Sequence, residues 1–198
     1  MKRIELDMIY LLSCGVNRIT PDEKYLKEID LENLYRMSCA HSVDALIGMV
    51  LKQAGVSLSK EWTEGIAKAT RKILLFDMER AKLLSFMEER GIWYLPLKGV
   101  ILKDYYPALG MRQMSDNDIL FDYSFSEEIR NYMESQGYKT MSFGKGTHDT
   151  YEKEPVYNFE LHGALYKEAF RSEWAEYYSE IKKKLIIYLL YQLNILIS

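Results

Sequence analysis

Leu97-Lys98-Gly99-Val100 and, further along, Arg112-Gln113-Met114-Ser115-Asp116-Asn117-Asp118-Ile119-Leu120 decide how this chain is read. The first run puts a glycine turn between an apolar stretch and a helix. The second delivers Asp116 and Asp118, spaced i and i+2, into the apolar run Ile119-Leu120-Phe121. On a strand such residues share a face, with Cα atoms ~7 Å apart. Two like charges entering a buried strand are costly without a counter-charge.

Before this stretch the chain reads as helix up to residue 90. Asp22 to Met37 carries Tyr25, Leu26, Ile29 and Leu34 at helical spacing, behind a Thr20-Pro21 start. Ser42 to Gln53 is a second helix, ended near Gly55. Ser59 to Arg90 is one long helix or two, closed by Gly91. Ile92 to Leu97 then reads as a strand and Val100 to Tyr106 as a helix stopped by Pro107. Asn117 to Phe121 is a second strand. Ser126 to Gln136 is a helix capped by Ser126, with Gly137 after it. Tyr138 to Phe143, His148 to Lys153 and Val156 to His162 are three more strands, and Trp174 to Leu196 returns to helix. The expected class is α+β, a small mixed sheet with an N-terminal helical region and a C-terminal helix. The expected division is 1–90 helical, 91–165 sheet-bearing core and 166–198 C-terminal helical segment.

The 198 residues are 48% hydrophobic and 28% charged, as in a soluble globular protein. A net charge of −3 gives no overall basic field for long nucleic acid. The 16 tyrosines read as packing rather than base-stacking surface. Cys14 and Cys39 are isolated thiols, which suggests a reducing, cytoplasmic setting. The acid-bearing N-terminus is not a signal peptide. Leu185 to Ile197 is apolar but shorter than the about 20 residues a membrane span needs. It reads as a buried terminal helix, or as one cut off from a longer protein.

Carboxylate oxygens suit Mg²⁺ or Mn²⁺, so Asp116 and Asp118 are candidate metal ligands. Their spacing alone is equally compatible with a solvated strand edge. Glu160 is the candidate third carboxylate. It shares a strand face with Asn158 and His162, a face that on its own reads better as the polar side of an edge strand. If its strand neighbours that of Asp118, the three acids converge and can clamp a phosphoryl displacement through two ions. Gly99 and the helix N-terminus after it can approach a phosphate. Lys98 can neutralise one or be a solvated strand-end lysine, and Arg112 can pair with a phosphate, hold the Asp pair in place or be a surface arginine. His41, His148 and His162 have no metal-triad spacing.

Leu97-Lys98-Gly99-Val100-Ile101-Leu102, Tyr106-Pro107, Arg112 and Ser115-Asp116-Asn117-Asp118-Ile119-Leu120 together resemble the uncharacterised bacterial nucleotidyltransferases of the DNA polymerase β superfamily. Phe159-Glu160-Leu161-His162 is similar to that family's later acidic strand. The resemblance implies Asp116, Asp118 and Glu160 as catalytic metal ligands for Mg²⁺ or Mn²⁺. It implies Lys98, Gly99, Val100, Arg112 and Ser115 as the nucleotide-binding set. The implied reaction moves a nucleoside monophosphate from a nucleoside triphosphate to a hydroxyl acceptor (a small molecule, a protein or an RNA end) and releases pyrophosphate. No membrane is implied, and a protein partner or a second copy of the chain can complete the acceptor site. Val100 departs from the pattern, because the superfamily often has Gly or Ser there. That departure, with the chain's short length, leaves a silent nucleotide-binding or partner-binding module as the alternative. A purely structural helical protein would require the acids to be accidental.

Overall fold

The computed structural model describes residues 2–165; the C-terminal helix expected at Trp174 to Leu196 lies outside them. These residues form two compact units. The first comprises residues 2–77 with Gly99–Ser115, and the second Met78–Lys98 with residues 116–165. The long helix α5, Lys60–Glu89, contributes to both. An α+β fold with a mixed sheet is therefore the architecture, as the sequence predicts. No described helix is long and apolar enough to cross a membrane.

The first unit is helical: α1 (Arg3–Asn17), α2 (Glu23–Leu26), α3 (Leu31–Ala40), α4 (Asp44–Gln53), the start of α5 and the single turn α6 (Gly99–Leu102). The one helix expected over Asp22 to Met37 is two. Asp22 caps Tyr25 N at 2.9 Å and Asp30 caps Asn33 N at 3.1 Å, so each aspartate starts its own helix. The expected Val100 to Tyr106 helix is α6 followed by a 3-10 turn, Lys103–Tyr105. Leu11, Leu34, Ile47 and Leu51 are fully buried in this unit's core. Gly15 lets α4 pack close there: a β-carbon would sit 2.6 Å from Leu46 Cδ2, which would have to shift.

The second unit holds the sheet: β1 (Tyr94–Pro96), β2 (Asn117–Phe121), β3 (Lys139–Ser142), β4 (His148–Lys153) and β5 (Tyr157–His162), with α7 (Ser126–Ser135). Strand order is β1-β2-β5-β4-β3. Only β2 and β5 run parallel; the other neighbours are antiparallel. β1 is shorter than the expected Ile92 to Leu97. Ser126 does not cap α7: it is the first helical residue, and the capping side chain is Asp122, which accepts from Ser124 N at 3.1 Å in the preceding 3-10 turn.

Alternation along the strands separates the faces. Ile119, Phe121, Tyr151, Phe159 and Leu161 turn to one side, where Leu83 and Met87 of α5 and Ile129 and Met133 of α7 join them in a buried core. Gly91 and Gly137, at φ 65° and 83°, end those two helices. After Gly91, Ile92 N donates to Met87 O at 2.9 Å, and after Gly137, Tyr138 N donates to Met133 O at 3.0 Å. Each closing bond links residues of the same core.

Glu79 ties α5 to the sheet. It accepts from Lys82 Nζ at 2.5 Å, Lys153 Nζ at 2.9 Å and the Tyr138 hydroxyl at 2.9 Å. Burial pushes its carboxyl up, but these donors outweigh burial and hold it at about 2, against an ordinary 4.5. The folded value is the lower one, so the ionised form stabilises the fold above the unfolded value. That stability is lost as pH falls through the window from 4.5 to about 2. Glu79→Gln should cost roughly 2 kcal/mol at neutral pH and flatten stability against pH in that window. Urea melts at a series of pH values check this; a deficit that is the same at every pH would contradict it.

Candidate functional site

The face of the sheet opposite the core gathers polar side chains on β2, β4 and β5, and strand register assembles them. Across the parallel β2–β5 pair, Asp118 stands opposite Glu160 and Leu120 opposite His162. Across the antiparallel β4–β5 pair, Thr150 stands opposite Glu160 and His148 opposite His162. Asp118, Glu160, His162 and His148 therefore share one face. Asp116 stands one residue ahead of β2, half-buried.

Lys98 closes this group from the end of β1. Leu97 N donates to Asp118 O at 2.9 Å, which continues the β1–β2 ladder as far as the aspartate. The chain then turns at Lys98, whose φ is 49°. This left-handed region is one that residues with a β-carbon rarely occupy. The turn expected at Gly99 is thus made by Lys98. Lys98 Nζ lies 2.6 Å from Asp118 Oδ1 and 3.8 Å from Glu160 Oε2. His162 Nε2 lies 2.9 Å from the same Asp118 oxygen and 3.7 Å from Glu160 Oε2.

Charge explains this clustering. The Asp118 side chain is 2% exposed. Burial alone would raise its carboxyl, but hydrogen bonds to His162 and Lys98 outweigh that and hold it below the usual carboxylate range. Conversely, the bond to Asp118 raises Lys98 against the opposing effect of burial, and the charges of Glu160 and Asp116 add to the rise. Three carboxylates thus act on a single ammonium. The oxygen donors of these carboxylates fit a hard divalent ion.

The remaining sequence-predicted residues are placed in the first unit. Gly99 and Val100 are buried and open α6. A β-carbon on Gly99 would stand 3.2 Å from Met114 Cγ, so the glycine leaves room for Met114. Arg112 Nη1 donates to Gln113 O at 2.9 Å, and Ser115 is exposed.

Sequence spacing does not mark His148 and His162 as a site. The usable signal is the turn at Glu154-Pro155: folding the chain about Pro155 pairs residues equidistant from it, and His148 and His162 are such a pair.

The family model described as "Uncharacterised nucleotidyltransferase" matches residues 27–188. The chain belongs to that nucleotidyltransferase family. No curated protein and no solved structure matches the chain.

Removing the ammonium should expose the electrostatics directly. In Lys98→Met the midpoint of the Asp118 carboxyl titration, followed by carbon-detected NMR, should rise, because a group that favours the ionised form is gone. An unchanged midpoint would mean that Lys98 does not hold the aspartate charged.

Proposed function

We propose that this family member transfers a nucleoside monophosphate from a nucleoside triphosphate to a hydroxyl acceptor, releasing pyrophosphate, at the face shared by Asp118 and Glu160. The observation that carries the reading is the parallel β2–β5 register, which sets these two carboxylates side by side with Asp116 acting on the same ammonium. Asp116, Asp118 and Glu160 would hold Mg²⁺ or Mn²⁺. When bound, such ions neutralise the triphosphate and lower the barrier to in-line displacement.

The chain's own residues supply the rest. Asp118 is ionised and pinned, so its oxygens are oriented before substrate arrives. Glu160 is half-buried beside it and is the candidate to take the acceptor's hydroxyl proton. The Lys98 side chain is 59% exposed, which leaves its ammonium able to pass from the carboxylates to a phosphate. No covalent intermediate is needed; positioning and charge neutralisation carry the reaction.

One observation favours the silent-module alternative: the Lys98 ammonium already neutralises Asp118 at 2.6 Å. Label from α-labelled triphosphates separates the two readings, with cell lysate as the acceptor source. The enzyme reading expects Mg²⁺-dependent transfer, lowered on the order of 10²-fold or more by Asp116→Asn or Asp118→Asn in a folded protein. Triphosphate binding with no transfer to any acceptor would establish the silent module instead. Full activity in both variants would remove the carboxylates from the site.

A further inference from the structure

His148 has no part in the chemistry above, and His162 enters it through its bond to Asp118. His148 and His162 oppose each other across β4 and β5, with ring centroids 5.0 Å apart and planes tilted by 47°. Glu160 precedes His162 by two residues and projects to the same face. One donor atom from each of His148, Glu160 and His162 lies within 4.8 Å of the other two. Around an ion with bonds of about 2.0–2.2 Å, adjacent donors stand about 3.0–3.5 Å apart. His162 Nε2 and Glu160 Oε2, at 3.7 Å, stand close to that spacing.

The surroundings suit ligation. All three residues sit on hydrogen-bonded strands, which fixes their backbones. His162 is buried, while His148 and Glu160 are half-buried, so an ion could enter from solvent. The Thr147 hydroxyl lies 3.4 Å from His148 Nδ1, the kind of contact that orients a ligating ring. Two imidazoles and one carboxylate select borderline ions such as Zn²⁺ or Co²⁺, whereas Mg²⁺ prefers oxygen donors throughout.

We propose that His148, Glu160 and His162 form a binding site for a divalent ion of the Zn²⁺ class. Glu160 is shared with the carboxylate set, but His148 is not, and the site stands whether or not this face transfers nucleotides. Filling it would draw Glu160 and His162 away from Lys98 and Asp118, so occupancy would tune the neighbouring carboxylates.

Co²⁺ alone, titrated into the metal-free full chain, tests this. The expected result is a visible ligand-field band with paramagnetically shifted imidazole signals from both His148 and His162. Zn²⁺ should abolish the band. His148→Ala and His162→Gln should each weaken Co²⁺ binding by about tenfold or more. Far-UV circular dichroism confirms folding, and His148→Asn serves if the alanine variant is unstable. Failure of the folded wild-type chain to bind Co²⁺, or binding unaltered in both histidine variants, would overturn the site. In His148→Ala, loss of Co²⁺ binding with Mg²⁺-dependent label transfer intact would leave the nucleotidyl-transfer reading untouched, and the converse result would leave this one.

Discussion

Asp118 is an ionised carboxylate inside a sheet, and keeping it charged organises everything around it. An ion taken out of water loses several kcal/mol even after its surroundings relax. Compensation comes from Lys98 at 2.6 Å and His162 at 2.9 Å, both on the same oxygen. Lys98 occupies the left-handed region at φ 49°, which costs a residue with a β-carbon about 1 kcal/mol. Strain of that size is small against an uncompensated buried charge, so the turn is held by the charge it delivers.

The sheet keeps this polar cluster apart from the core by alternation alone. β2 is buried along its whole length, yet Ile119 and Phe121 enter the core while Asp118 turns to the opposite face. β5 repeats the division, with Phe159 and Leu161 inward and Glu160 and His162 with Asp118. A slip of one residue in the β2–β5 register would set an apolar side chain against the aspartate. The large buried aromatics Phe121, Tyr151 and Phe159 make that slip expensive, so the core enforces the geometry of the polar face.

Much of this was legible in the residues. The spans Asn117–Phe121 and His148–Lys153 follow from turn residues around apolar or alternating runs, and both strands have those limits. Gly91 and Gly137 mark helix ends because only glycine enters that backbone region freely. Other features depend on competition that local pattern does not reveal. Asp30 splits an apparently continuous helix because its side chain satisfies Asn33 N. The left-handed turn falls on Lys98 rather than Gly99, which is already the first residue of α6. The parallel pairing of β2 with β5 is a choice of neighbours across the intervening α7, β3 and β4, and it alone brings Glu160 to Asp118.

In this structure Lys98 supplies the positive charge that the carboxylates demand, and a divalent ion would supply the same charge with more of it. The two should therefore exclude each other. Anomalous diffraction from crystals holding Mn²⁺ and a non-hydrolysable triphosphate measures this directly. The expected result is an anomalous peak bonded to Asp118 and Glu160, with the Lys98 ammonium moved off the aspartate and onto phosphate. A peak elsewhere in the molecule, with Lys98 still bonded to Asp118, would contradict it.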